Sequence, residues 1–262
     1  MAGKRRAPHY VCRRNIPAMN NQIFKRYEFK YHVPEYFVPN IASFLLRHGM
    51  QLDPAARQKP GSFYTVTSLY FDSPTLNDYH DKAGGFLSRK KIRVRIYDPF
   101  LTENTKEIWL EKKAKYNMWV AKKRALLTFT DYKELMGRSR AGLLRQYGAD
   151  SYAAETLSHI VREQMKPQLI TRYRRIPLLM PGPADFRITL DSRIETCFSR
   201  DLRYTAPMKT VHPGTAVLEV KFGTILPGWF RTLLQQYNLS RESSSKYANA
   251  MEGLRIYNPI PR

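Results

Sequence analysis

Charged residues recur along this chain at strand spacing, and most of them are cations. Arg26, Glu28 and Lys30 fall at i, i+2 and i+4, as do Lys91, Arg93 and Arg95. Glu107, Glu111 and Lys113 share one parity, and so do Lys122 and Arg124. Arg187, Asp191 and Arg193, then Glu219 and Lys221, repeat the pattern towards the C-terminus. Arginine grips oxyanions through paired N–H bonds, and lysine offers a compact point charge. Carboxylates set among such cations are the ligand type that hard divalent ions prefer. Together these side chains suit the handling of phosphate oxygens, where catalysis is mostly positioning and charge stabilisation. No Ser/His/Asp or Cys/His constellation is present. None is needed when the acceptor is itself a phosphate.

Strands must carry these groups. Successive strand residues point to opposite faces, so each triad places its charges together. Tyr27, Phe29, Ile92, Val94, Leu110, Ile188, Leu190, Leu218 and Val220 then fall on the other face, which must be dry. Apolar–polar alternation alone describes no more than a solvated sheet face. A solvated face usually mixes signs, however, because like charges opposed across strands destabilise the pair. Here Glu28, Glu111 and Glu219 are a minority among Lys and Arg, so the face has to meet a polyanion.

The pattern predicts strands over about Phe24–Val33, Ser62–Phe71, Leu87–Tyr97, Glu107–Lys115, Met118–Thr128, Gln168–Ile176, Phe186–Phe198 and Thr215–Phe222. Helices are expected over Glu35–Arg47, Leu76–Lys82, Asp131–Leu135, Ser151–Gln164, from an opening at Pro227-Gly228-Trp229 through Tyr237, and over Ser243–Met251. The conformation of Met136–Asp150 is left open. Runs of strands with helices between pairs indicate an α+β fold. About eight antiparallel strands can close around an interior wide enough for one ligand. The expectation is therefore an antiparallel β-barrel tunnel lined by cations, with helices packed outside.

At 262 residues, with 43% hydrophobic and 13% aromatic content, the chain can bury a large core and is no disordered basic tail. Its 44 Lys and Arg against 22 Asp and Glu leave a formal charge of +22. That imbalance draws nucleic acid, anionic lipid or polyphosphate. Residues 1–22 read as a disordered basic arm, available for peripheral contact with RNA or lipid, ahead of one domain over 23–262. Cys12 and Cys197 lack metal spacing and suit a reducing compartment. No apolar run reaches the ~18 residues of a membrane span, and no secretory signal core is present. The expected location is cytoplasmic.

In order along the chain stand RYEFKY (26–31), SLYFDS (68–73), KIRVRIY (91–97), WLEKK (109–113), VAKKR (120–124), PQLITRYRR (167–175), RITLDSRI (187–194), VLEVKF (217–222) and SSSKYANAM (243–251). These motifs, spread over residues 24–257, resemble the polyphosphate polymerase domain of the vacuolar transporter chaperone (VTC) complex in its stand-alone bacterial form. That family belongs to the triphosphate tunnel metalloenzymes and is related to CYTH domains. The resemblance implies a CYTH-like tunnel fold and metal-dependent transfer of the ATP γ-phosphate to a growing inorganic polyphosphate chain. ATP and polyphosphate would be the partners, and Mn2+ or Mg2+ the cofactor.

By the same resemblance, Arg26, Lys30, Lys91, Arg93, Arg95, Lys113, Lys122, Arg175, Arg187 and Lys246 would bind phosphate, with Arg174 competing with Arg175 by one residue. Glu219 would hold the metal. Arg93, Arg95, Lys113 and Glu219 would form the catalytic group. Glu28 and Glu111 stand either as further metal ligands or as anchors that orient neighbouring Lys and Arg. Hydrolytic and cyclase-type CYTH relatives open with ExExK. Arg26 here replaces the first glutamate, which favours polymer synthesis over hydrolysis.

Three rivals remain: a CYTH-type tripolyphosphatase, a non-catalytic polyphosphate-binding module, and a nucleic-acid binder. The last leaves the carboxylates on the cationic parity unexplained. No Walker loop is present, so a nucleotide would bind through its phosphates. The six histidines lack metal-ligand spacing. Asp72 reads as a strand-end cap, and Asp191 as a partner of Arg187 or Arg193.

Overall fold

The computed structural model describes residues 27–254 apart from 118, 138–139, 149–150, 183–185, 204–206 and 224, and apart from the side chains of 119 and 120. The basic arm and Arg26 lie outside the described residues. The strands are β1 (Tyr27–Pro34), β2 (Gln51–Leu52), β3 (Tyr64–Asp72), β4 (Ser88–Ile96), β5 (Ile108–Tyr116), β6 (Trp119–Leu127), β7 (Lys166–Leu179), β8 (Arg187–Phe198), β9 (Lys209–Thr210) and β10 (Thr215–Phe222). The helices are α1 (Val38–Arg47), α2 (Pro54–Arg57), α3 (Asn77–Ala83), α4 (Phe129–Met136), α5 (Arg140–Gln146), α6 (Tyr152–Arg162), α7 (Gly228–Gln236) and α8 (Lys246–Leu254).

Local chemistry explains where the helices begin. The Thr128 hydroxyl accepts from the Asp131 N–H while Asp131 accepts from the Thr128 N–H, a reciprocal cap that starts α4. Ser151 caps α6 by accepting from the Ala154 N–H at 3.1 Å. The stretch left open in the sequence contains α5, whose Arg140 donates to the carbonyls of Leu135 and Met165 at 2.9 and 2.7 Å.

All strands join one antiparallel 10-stranded sheet with the path β1-β10-β8-β7-β3-β4-β5-β6, while β2 pairs with β7 and β9 with β8. Its apolar face packs under helices in two places. Ile92, Val94 and Leu110 meet Tyr132, Leu143, Leu157 and Ile160 from α4, α5 and α6. Ile188, Leu190, Leu218 and Val220 meet Ile41, Leu45, Phe230 and Leu233 from α1 and α7. The opposite face carries the charges and is concave. Lys113 of β5 reaches across it to Glu28 of β1 at 2.9 Å. α8 packs on this charged side, setting Tyr247 and Met251 against Val66, Tyr70, Tyr173 and Val217.

Two sequence expectations need correction. The sheet curls without closing into a barrel, because among the described residues β1 pairs only with β10 and β6 only with β5. The free edge of β1 is taken by the chain entering α8: Arg241 bridges to Tyr31, and the Glu242 N–H donates to the Lys30 carbonyl at 2.9 Å. Those backbone groups are then unavailable to β6. The triad Arg187, Asp191, Arg193 is also broken. Arg193 adopts φ 49° beside a register shift in β7 and β8, and its side chain is 61% exposed next to Glu35. A bulge of this kind throws one residue out of the alternation.

Leu110 is 1% exposed and ties β5 to the helical layer. Leu110→Ala should therefore lower unfolding free energy by about 2–5 kcal/mol, measured by urea denaturation. An unchanged midpoint would place this residue outside the core.

Candidate functional site

Register alone assembles the charged face into rows. Tyr70, Arg93, Glu111 and Arg124 oppose one another across β3, β4, β5 and β6, and Lys91, Lys113 and Lys122 form the next row. On the other half, Lys30 faces Glu219, which faces Thr189, and Val217 leads to Asp191 and Arg175. Each row mixes residues that lie far apart in sequence.

Four carboxylates of this face, Glu28, Glu111, Asp191 and Glu219, are held by cations. Glu111 is 1% exposed and accepts from Arg93 Nε and Nη2 at 2.8 and 2.7 Å, with Lys122 Nζ at 2.6 Å and Arg95 Nε at 3.8 Å. Asp191 receives Arg175 in a two-pronged pair of 2.7 and 2.8 Å and Lys246 at 2.6 Å. It is therefore the partner of Arg175 and Lys246, where the sequence pointed to Arg187 or Arg193. Glu219 pairs with Lys221 at 2.6 Å and lies 3.6 Å from Lys30. Glu28 takes Lys113, and Lys30 lies 3.3 Å away, so one ammonium is shared between Glu28 and Glu219.

Burial works to raise Glu28, as does Glu219, but Lys113, Lys30 and Lys221 outweigh both and leave it at about 2. Burial likewise opposes ionisation of Glu219, yet Lys221, Lys30, Arg175 and Lys246 hold it well below the usual carboxylate range. All four carboxylates are anionic at neutral pH for this reason.

Nearly all the sequence-proposed residues with described side chains converge here. Arg95 is 5% exposed and donates to Ser68 Oγ and Tyr173 OH at 3.2 and 3.3 Å. Arg93 Nη1 donates to Tyr70 OH at 3.1 Å. Lys30 Nζ donates to the Ser244 carbonyl at 3.0 Å, and Lys91 Nζ to Ser245 Oγ. Of the two adjacent arginines, Arg175 faces the carboxylates, while Arg174 stacks over Phe63 with its Cζ 4.7 Å from the ring centroid. Arg187 stands at the exposed end of β8, opposite Lys221. Glu111 belongs to the wall built by β4, β5 and β6, away from the Glu28–Lys30–Glu219 group.

The sequence did not single out the phenols of Tyr70 and Tyr173 or the Ser243–Ser245 run as parts of the site. For Tyr173 strand parity was the available signal, since it lies two residues before Arg175; Tyr70 joins the site through its register with Arg93. Asp72 acts as a cap, accepting from the N–H groups of Ser73, Asp78 and Tyr79 at 2.7–3.1 Å and from Tyr247 OH at 2.7 Å. It thereby joins α3 to α8.

The profile of the VTC domain matches residues 25–255. This chain belongs to the VTC domain family. This VTC domain is also similar, at low identity, to solved structures. One is a candidate adenylate cyclase from Bacillus halodurans, at 11% identity, 85% of this chain and 94% of that one, and a TM-score of 0.47. Another is a candidate adenylyl cyclase from Hippeastrum with a dominant triphosphatase activity, at 15% identity, 86% and 95% coverage, and a TM-score of 0.46. No curated protein matches the chain. No helix among the described residues is long and apolar enough to cross a membrane.

Two cations of the charged face have their titration lowered towards neutrality. Burial lowers Lys91 to about 8, with Lys30, Lys113 and Lys82 adding to it against Tyr70. Burial also lowers Lys122 to about 8, with Arg93 and Arg95 adding to it against Glu111. Both are charged below about pH 8 and lose their charge above it, so whatever hold they give an anion would be present at pH 7 and decline as pH rises towards 9. In metal-free calorimetry with tripolyphosphate, Lys122→Arg should lose less affinity over this range than the wild type, by roughly fivefold. Identical pH profiles for the two proteins would rule out this titration.

Proposed function

We propose that the concave face of this VTC domain holds an inorganic polyphosphate chain and transfers the γ-phosphate of ATP to its end. The terminal phosphoanhydride bond of ATP breaks, a new one forms to a terminal oxygen of the chain, and ADP leaves. That terminal oxygen is already ionised, so no side-chain base is required. The observation that carries this reading is the convergence of Lys30, Arg93, Arg95 and Lys113 around a surface that also holds Glu28 and Glu219.

The donor set fits a divalent ion. Mg2+ is commonly bound by one or two carboxylates plus substrate phosphates, and no cluster of three or more His, Cys, Asp or Glu exists among the described residues. Glu219 would hold the ion with Glu28 beside it. When bound, the ion neutralises charge on phosphate oxygens. Glu111 acts differently, fixing the Arg93 fork and drawing Lys122 inward. Arg93 and Arg95 are thereby aimed before substrate arrives, the preorganisation that makes charge stabilisation effective. Lys30, Lys91, Lys113, Lys122, Arg175, Arg187 and Lys246 would contact phosphates along the chain.

Incubation of the purified protein with ATP and Mn2+ should give a ladder of polyphosphate on a gel. Glu219→Gln should abolish the ladder while largely retaining metal-free tripolyphosphate binding. Arg93→Ala and Arg95→Ala should each reduce turnover by about 10²–10³-fold. Release of free phosphate or pyrophosphate alone, with no polymer under any metal, would mean hydrolysis and end the polymerase reading.

A further inference from the structure

Three large side chains stand exposed where β4 begins and β5 ends. Phe86 and Leu87, between α3 and β4, are 60% and 62% exposed, and Tyr116 at the end of β5 is 66% exposed. Among the described residues, only Tyr36 and Ile225 of the other large apolar or aromatic side chains are as open to solvent. Single apolar side chains scattered over a surface are ordinary. These three are brought together by the backbone: Ser88 opposes Tyr116 in register, and the Asn117 N–H donates to the Leu87 carbonyl at 2.9 Å. The turn that presents them has a defined shape. Gly85 takes φ 73°, the Phe86 N–H donates to the Asp81 carbonyl at 3.1 Å, and the Phe86 ring lies over Gly84, where an added Cβ would come within 2.7 Å. Every residue from Ala83 to Ser88 is exposed, as are Tyr116 and Asn117, so this tip projects from the fold.

Cations rim the tip. Arg89 and Lys115 oppose each other one residue inside Ser88 and Tyr116, and Lys82 lies on the last turn of α3. Burial lowers Lys115, with Arg89, Lys113 and Lys82 adding to it against Glu28. Burial lowers Lys82 too, with Arg89 and Lys30 adding to it against Glu252. Glu28 is already held by Lys113 and Lys30. Asp81, beside Lys82 in α3, and Glu252 of α8 are then outnumbered, and the rim is positive. A projecting apolar tip ringed by cations matches the boundary of an anionic bilayer. Apolar groups gain by entering its acyl edge, and tyrosine suits the headgroup level. The flexible stems of Lys and Arg reach lipid phosphates while covering apolar surface. A second copy of the chain fits worse, because a two-fold contact here would set the same cations against each other. A nucleic acid would stack on the aromatic faces and leave Leu87 without a role.

We propose that the Phe86–Leu87 turn and Tyr116 dock this protein on an anionic lipid surface. The three side chains enter the boundary between headgroups and acyl chains, and Lys82, Arg89 and Lys115 meet the lipid phosphates around them. The proposal is independent of the polymerase reading, since it uses none of the groups assigned to phosphate transfer.

Co-sedimentation of the full chain with phosphatidylcholine vesicles, with and without phosphatidylserine, tests this. The wild type should pellet with the phosphatidylserine vesicles and stay in solution with phosphatidylcholine alone. Phe86→Ser/Leu87→Ser, which changes no charge, should weaken that binding by roughly tenfold, with the urea midpoint and tripolyphosphate affinity of the wild type retained. Arg89→Gln/Lys115→Gln should weaken it to a similar degree and flatten its salt dependence. Phe86→Trp gives a readout that needs no loss of binding. Its added emission, relative to the wild type, should shift to the blue with phosphatidylserine vesicles and be quenched by lipids brominated in the acyl chain. Vesicle binding unchanged by the serine pair would assign it to the basic arm and overturn the tip. An unshifted and unquenched emission would do the same. So would a change from dimer to monomer in the serine pair with vesicle binding intact, because the tip would then be a contact between copies.

Discussion

Mutual repulsion among the cations of the concave face is the constraint on which the rest of the structure depends. Two like charges 4 Å apart repel by about 4 kcal/mol at an effective dielectric of 20. Strands β4, β5, β1, β10 and β7 each contribute Lys or Arg to one surface. Four buried or half-buried carboxylates make that surface possible, each placed between at least two cations. Removing one partner of a buried ion pair costs about 3–5 kcal/mol, because the remaining charge is left without compensation. The carboxylates therefore do two things at once: they hold the cations together and fix where the guanidinium forks point.

Curvature gathers this chemistry onto one concave surface. The alternation of strand side chains sends the apolar set outward beneath α1, α4, α5, α6 and α7, and the charged set inward. The chain leading into α8 completes the surface from the open side. Ser243, Ser244 and Ser245 meet Lys82, Lys30 and Lys91 in turn, so one short segment touches cations from α3, β1 and β4. Asp72 secures the same helix through Tyr247. A polyanion seated on this surface would thus be felt by α8 as well as by the sheet.

Much of this was legible in the sequence, for a geometric reason. A period of two is strict within an unbroken strand, so Lys91, Arg93 and Arg95, or Glu219 and Lys221, could be assigned to one face without knowing their neighbours. The period failed at Arg193, where a bulge that leaves no compositional mark shifts the register. Closure was over-read, because nothing local in Arg241 and Glu242 reveals that they occupy the edge of β1. Pairings across long separations were equally hidden: Lys113 with Glu28, 85 residues apart, and Lys91 with Ser245, 154 apart. The partner of Asp191 proved to be Arg175 on the adjacent strand, a choice that only the register between β7 and β8 makes. Parity indicated which face; the register supplied the pairs.

The most direct measurement is a crystal structure of the protein grown with tripolyphosphate. Phosphate density should lie on the concave face, with oxygens in contact with Arg93 and Arg95 on one side and Lys30 and Lys113 on the other, and with the Glu111–Arg93 pair intact. Phosphate density confined to the outer surface, with every concave ion pair unchanged, would contradict the assignment of this face as the binding site.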